Sequence, residues 1–196
     1  MTPRAKPLPP DERRRVLLDA ARPLVREHGH AVRTKDVAAA AGVAEGTLYR
    51  VFETKEELVD AVVEDAADPA PFLARLDVID PAQPLEERLL AVVSAFHERF
   101  REVFEILVAV GMPGPPESLR RRTGGHGEDD WRVGVRRRVV ALLEPDADRL
   151  AISPERLAQY VRLLSFSGAH PHITAAEPLT PAEIVDVVLH GVLRRG

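Results

Sequence analysis

The chain has 196 residues, of which 45% are hydrophobic, 30% charged and 5% aromatic, with a formal net charge of -4 and no cysteine. That length accommodates one large domain or a small domain joined to a larger one, and either would bury roughly two-thirds of the surface of the unfolded chain. The lack of cysteine excludes disulfides, thiolate zinc sites and cysteine nucleophiles, and suits a reducing cytoplasm. Charge is unevenly placed: residues 1–52 carry ten Lys and Arg against six Asp and Glu, net +4, which leaves net -8 for residues 53–196. A basic head on an acidic body suits a protein in which one end approaches phosphates.

Residues 1–10 contain four prolines and read as a flexible tail. MTPRAKPLPPDERRR lacks the apolar run of a secretory signal, and no segment reaches the roughly 18 apolar residues of a membrane span, so the expectation is a cytoplasmic protein without membrane contact. A helix then starts at Asp11, with Val16, Leu17, Ala20, Ala21, Leu24 and Val25 at three- and four-residue spacing, and ends near Gly29. Pro23 falls inside it and predicts a kink or an early end, because proline lacks the backbone donor and crowds the preceding turn. A second helix is expected from Thr34, capped by its own hydroxyl, through Val37, Ala38 and Ala41. Gly42 ends it and Val43 fills the angle to a third helix of about two turns, beginning at Ala44 or Glu45 and including Arg50. Thr54 and Glu57 form a capping box for a fourth helix with an apolar stripe at Leu58, Val59, Val62 and Val63.

The proline-rich stretch 68–84 breaks the chain and leaves room for a short helix around Phe72 to Leu76. Leu85 to Val110 is the longest helical pattern, about 39 Å at 1.5 Å per residue. Residues 111–130 combine glycine, proline and opposed charges and read as a loop. Helical patterns resume at Trp131 to Leu143, Pro154 to Ser167 and Pro181 to Arg194, with Ser153 and Thr180 as caps before first-turn prolines. No run of alternating strand residues appears, so the fold is expected to be all-α. The reading divides it into a tail at 1–10, a three-helix head with a helix-turn-helix at 11–54, and a larger helical body at 55–196.

The segment TKDVAAAAGVAEGTLYRVFETK, Thr34 to Lys55, carries the chemistry. Gly46 lets DNA approach closely, Thr47 offers a hydroxyl and a methyl group, and Tyr49 can donate a hydrogen bond to phosphate. Lys35 and Lys55 flank the third helix and suit the DNA backbone, with Lys35 also able to reach a guanine edge. Thr34, Glu45 and Arg50 complete the expected DNA-facing set. From Val16 through Val63 the chain closely resembles the amino-terminal domain of the TetR family of transcriptional regulators, above all in AAGVAEGTLY followed by Phe52 and TKEEL. The resemblance implies a homodimeric, usually repressive protein that binds double-stranded operator DNA, with a helical body for ligand binding and dimerisation. It makes Lys35, Gly46, Thr47, Tyr49 and Lys55 DNA contacts, and Leu48, Val37, Ala38 and Phe52 head-core residues. Ala44 departs from the family's usual serine or threonine, which removes a side-chain cap of about 1 kcal/mol. Val51 departs from a frequent aromatic or histidine, and Pro23 from a commoner helix former.

For the body, the last two long helices are the expected dimer elements, through Leu157, Val161 and Leu164 on one and Ile184, Val188 and Leu189 on the other. Closure of the protomer's own core explains the same stripes. A pocket for a small-molecule effector is placed among Phe96, Phe100, Phe104, Trp131 and Tyr160, whose rings supply apolar walls and, at Trp131 and Tyr160, a directional hydrogen bond. Effector capture is then expected to release the protein from DNA through different affinities for two states of the dimer. An activator of the same fold, or a helical interaction module with a non-reading head, fits the same residues. His28, His30, His97, His170 and His172 form no compact ligand motif such as HExxH, so no enzyme activity, metal site or cofactor is expected.

Overall fold

The computed structural model describes residues 9–112, 131–175 and 177–192. The expected tail up to residue 8 and the expected loop from residue 113 to 130 lie outside them. The elements in chain order are α1 (Pro10–His28), a 3-10 turn (Gly29–Ala31), α2 (Thr34–Ala40), α3 (Glu45–Leu48), α4 (Lys55–Ala66), α5 (Ala70–Asp77), α6 (Leu85–Ala109), α7 (Trp131–Leu143), a 3-10 turn (Glu144–Arg149), α8 (Pro154–Ala169) and α9 (Pro181–Val192). Every regular element among the described residues is helical, and the protein is all-α. The described residues fall into two compact units: residues 9–67 together with 105–112, and residues 68–104 together with those described from 131 onward. The division follows α4 rather than preceding it, so α4 packs as part of the head.

In the first unit α1 packs on α2 and α4, and α2 on α3. Helix α1 begins with Pro10 in its first turn and runs unbroken past Pro23. Pro23 is exposed, so the carbonyl of Asp19 that it leaves without a helical partner faces water. The buried face of α1 is Leu17, Leu18, Ala21 and Val25, with Val16 turned outward. Val37, Ala38, Leu48 and Phe52 are buried as expected, together with Leu58, Val59, Val62 and Val63 of α4. The guanidinium of Arg14 lies 4.7 Å from the centre of the Phe52 ring and covers this core.

Helix α2 ends as its composition requires. Gly42 adopts φ +68°, the Val43 amide donates to the Ala38 carbonyl at 2.9 Å, and the Gly42 amide donates to Ala39 at 3.1 Å. These two bonds satisfy the last carbonyls through a left-handed glycine that a side chain would strain. Thr54 caps α4 by accepting from the Glu57 amide at 3.0 Å, while the Glu57 carboxylate returns to the Glu53 amide at 2.6 Å. Thr34 differs from expectation: it is the first residue of α2, the capping position is held by Arg33, which gives no side-chain cap, and the Thr34 hydroxyl bonds to Glu45.

A second glycine is needed for packing. Gly29 has φ +54°, and a Cβ built there would stand 2.0 Å from the carbonyl oxygen of Ala109. The last turn of α6 therefore meets the 3-10 turn at backbone distance, and the Arg26 guanidinium pairs with Glu105 at 3.4 Å beside it. Gly29→Ala is expected to lose about 2 kcal/mol or more through overpacking and backbone strain, read as a lower urea midpoint at unchanged slope.

The core of the second unit is built from one face of α6, with Leu85, Leu89, Val92, Val93 and Phe96, against Phe72 and Leu76 of α5, Val135 and Val139 of α7, Leu157 and Val161 of α8, and Ile184 and Val188 of α9. Arg138 of α7 ties to Asp77 of α5 through Nε at 2.6 Å. Ser153 caps α8 by accepting from the Arg156 amide at 3.3 Å. At α9 Thr180 and Glu183 cap each other: the Glu183 amide donates to the Thr180 hydroxyl at 3.2 Å, and the Glu183 carboxylate accepts from the Thr180 amide at 2.7 Å.

Among the described residues of this unit two guanidiniums are buried, those of Arg88 and Arg99. The Arg88 guanidinium donates to the Leu142 carbonyl and to the Asp146 carboxylate, which also accepts from Arg149. Desolvation would raise the Asp146 pKa, but the hydrogen bonds from Arg149 and Arg88 outweigh it and hold the carboxyl below its ordinary value. The folded state thus holds the proton less tightly than the unfolded chain. The resulting stability is complete above the ordinary carboxylate pKa and is lost as pH falls through the lower folded value. Asp146→Asn is expected to destabilise the protein by on the order of 3 kcal/mol at pH 7, since it strands a buried guanidinium, and to flatten the acid limb of the stability profile measured by denaturant titration.

Candidate nucleic-acid interface

The recognition element is very short. Helix α3 contains four residues, one turn rather than the two expected, and Ala44 before it supplies no side-chain cap. Continuity comes from backbone bonds: the Tyr49 amide donates to Glu45 at 3.2 Å, and those of Val51 and Phe52 donate to Leu48 at 2.9 and 3.0 Å. Leu48 and Phe52 anchor this turn in the head core, which leaves Glu45, Gly46, Tyr49 and Arg50 exposed and Thr47 half-buried. A Cβ at Gly46 would meet nothing within 4 Å, so its surface is open for close approach.

Thr34 is the exception among the expected DNA-facing residues, being 8% exposed. Its hydroxyl donates to the Glu45 carboxylate at 2.5 Å and lies 3.2 Å from the Tyr49 phenol oxygen. Lys35 beside it is exposed and has no hydrogen-bond or ion-pair partner among the described residues. Lys55, at the first turn of α4, is half-buried, and its ammonium donates to the His30 carbonyl at 2.8 Å. Two of its three protons remain for an anion. The sequence pattern had singled out these residue types but contained no sign of the bonds that join Thr34, Glu45 and Tyr49, which lie 11 and 15 positions apart.

The residues expected to form a pocket are arranged differently. Phe96, Phe100 and Phe104 stack along α6 with ring centres 5.7 and 6.1 Å apart. Phe166 of α8 meets Phe100 and Phe104 edge-on at 5.3 and 5.2 Å, and His170 lies 4.5 Å from Phe104. Phe166 and His170 thus belong to the aromatic group although the pattern did not name them. An apolar i, i+4 series on α6 signalled its own members only. Trp131 packs half-buried against the body core. Tyr160 is 42% exposed, and its ring contact is with Arg156. An open cleft of about 530 Å³ lies instead beside Pro84, Leu85, Arg88, Pro145, Asp146 and Leu189, and none of the five expected residues lines it.

The residues expected at the dimer interface pack within the protomer. Leu157, Val161, Ile184 and Val188 are buried in the protomer's own core, and Leu164 and Leu189 pack partly buried against it, so their apolar surface is already covered. The outer face of α8 carries the free apolar surface, at Tyr160, Leu163 (43% exposed) and Phe166 (36%), with Val187 (64%) on α9. These two helices pack on each other. Apolar residues of α8 fall on more than one stripe, the buried one at Leu157 and Val161 and an exposed one at Tyr160 and Leu163, and helical spacing is the same for both. Among the described residues no three His, Asp or Glu side chains are grouped to hold a metal, and no helix is long and apolar enough to cross a membrane.

Residues 17–62, covering α1 to most of α4, match the model of the bacterial regulatory proteins, tetR family. The whole fold is similar to a TetR-family regulator from Vibrio parahaemolyticus, with 20% identity, a TM-score of 0.58, and coverage of 93% of this chain and 100% of that one. It is similar also to SmeT, the repressor of a multidrug efflux pump of Stenotrophomonas maltophilia, with 21% identity, a TM-score of 0.57 and coverage of 93% and 91%. A third likeness is to the transcriptional regulator FadR of Bacillus subtilis in complex with stearoyl-CoA, with 16% identity, a TM-score of 0.54 and coverage of 90% and 95%. Residues 17–62 thus match the tetR family of bacterial regulatory proteins, and the fold along the rest of the chain is one that these solved structures share.

Proposed function

We propose that the protein is a ligand-responsive repressor that binds a palindromic operator as a homodimer and is released by a small-molecule effector. The observation that carries this reading is the exposed edge of the head, where Gly46 leaves open space, Tyr49 and Arg50 are exposed beside it, and Lys35 has no partner among the described residues. Lys35, Arg50 and the remaining protons of Lys55 suit phosphate oxygens, Tyr49 donates to the backbone, and Gly46 and Thr47 meet base edges. One such head covers only half of an operator, so two-fold pairing roughly adds two half-site free energies. The outer face of α8 with Val187 of α9 supplies the pairing surface, because it is the apolar area these helices leave uncovered. Release follows if the effector binds more tightly to a dimer whose head spacing no longer fits the operator.

Selection from random duplexes is expected to enrich an inverted repeat. Replacing Lys35 by Ala and Tyr49 by Phe together should lower affinity for it at least about 100-fold and reduce the slope of log K against log salt by about 2, one lysine from each of two heads, with helical content and dimerisation intact. Unchanged affinity would reject this docking mode. Leu163→Glu should convert the dimer to monomer in sedimentation and remove tight operator binding, whereas Leu157→Ala should act through stability of the protomer.

A further inference from the structure

We infer that Thr34 is a positioning residue, which holds Glu45 and Tyr49 in place through one hydroxyl and so sets the working shape of the recognition turn. The inference rests on the DNA-reading head proposed above and deepens it, since Thr34 acts there without touching DNA. Its starting point is geometric: Thr34 is 8% exposed, and its hydroxyl lies 2.5 Å from the Glu45 carboxylate and 3.2 Å from the Tyr49 phenol oxygen.

Proton counting gives the order of the chain. A threonine hydroxyl has one hydrogen, and a carboxylate only accepts, so that hydrogen goes to Glu45. Nothing remains on Thr34 to donate to Tyr49. The bond at 3.2 Å therefore runs the other way, from the Tyr49 phenol to the Thr34 oxygen. The order is Tyr49 to Thr34 to Glu45, each hydroxyl donating onward to end on the negative charge.

The two partners sit at the ends of the recognition turn, where its helix has no side-chain cap. Ala44 provides no cap, and α3 has a single turn; Glu45 is its first residue and Tyr49 directly follows its last. Thr34 belongs to the first turn of α2, and so the chain of bonds fastens both ends of α3 to the neighbouring helix. It also restrains a charge. Glu45 is exposed at the edge proposed to meet DNA, and its carboxylate, bound to Thr34, is kept from swinging toward phosphates that would repel it. Tyr49 keeps a preset orientation, and contact with phosphate asks only that its proton turn from the Thr34 oxygen to the phosphate oxygen.

Operator affinity and tyrosine spectra together test this. Thr34→Val, which keeps the shape and removes the hydroxyl, should weaken binding to the selected duplex at least 10-fold, and Thr34→Ser should stay within 2-fold of the parent. In a Glu45→Gln background, where no carboxylate is released, Thr34→Val should weaken binding no more than 3-fold; an equal loss in both backgrounds overturns the inference. A second measurement needs no DNA. With tyrosine labelled by 13C at Cζ there are two signals, from Tyr49 and Tyr160, which the Tyr49→Phe spectrum assigns. Thr34→Val should move the Tyr49 signal and Thr34→Ser should not. A Tyr49 signal unmoved by Thr34→Val overturns the inference even if the DNA-binding reading stands, while a moved signal supports the bond order even if no duplex is enriched and that reading fails.

Discussion

A recognition helix of one turn cannot hold itself together, and the architecture of the head follows from that constraint. Four helical residues close too few backbone bonds to offset the ordering of the chain, and Ala44 adds no cap. Stability must come from outside the element. Leu48 and Phe52 provide it from below by burial, Gly42 and Val43 set the angle of entry through the two bonds that end α2, and Thr34 grips both ends from the side. The same constraint explains why α4 belongs with the head. Its buried face of Leu58, Val59, Val62 and Val63 completes the core on which α3 rests, and Lys55 fastens its first turn to the His30 carbonyl.

In the body the governing fact is that α6 supplies more than one kind of surface along a single length. Leu85 to Phe96 feed an aliphatic core shared with α5, α7, α8 and α9. Phe100 and Phe104 then continue into an aromatic group closed by Phe166 and His170. Rings at such separations and mutual tilts gain both dispersion and quadrupole attraction, so they stabilise one another without a ligand between them. The buried Arg88 supplies a different kind of restraint. A guanidinium shared between a carbonyl and a carboxylate tolerates little displacement, and it fixes the start of α6 to the turn after α7.

Helix α8 shows how one element serves two masters. Its inward stripe, Leu157 and Val161, is committed to the protomer core, and its outward arc at Tyr160, Leu163 and Phe166 remains apolar. Phe166 also meets the rings of Phe100 and Phe104 within the protomer, while Tyr160 and Leu163 stay exposed and belong to the pairing surface proposed above. The acidic balance of the body, net -8 from residue 53 onward, also concentrates the positive charge of the chain in the head.

Nearly every helix was legible in the sequence, for a local reason. Three- and four-residue apolar spacing, prolines in first turns, the Thr54–Glu57 and Thr180–Glu183 boxes and the glycine after α2 are short-range signals, and the helices begin and end near where those residues place them. Pro23 does not end its helix, since an exposed proline can sit in a helix whose inner face is well packed. The edge proposed to face DNA carries residue types that groove chemistry calls for, a small residue, hydroxyls and cations at close spacing. Tertiary structure alone decided which stripe of α8 and α9 turned inward, that Phe166 and His170 joined the rings of α6, and that the Thr34 hydroxyl left its helix end for Glu45 and Tyr49. Those outcomes depend on which groups far apart in the chain compete for the same contact, and spacing along a helix carries no record of that competition.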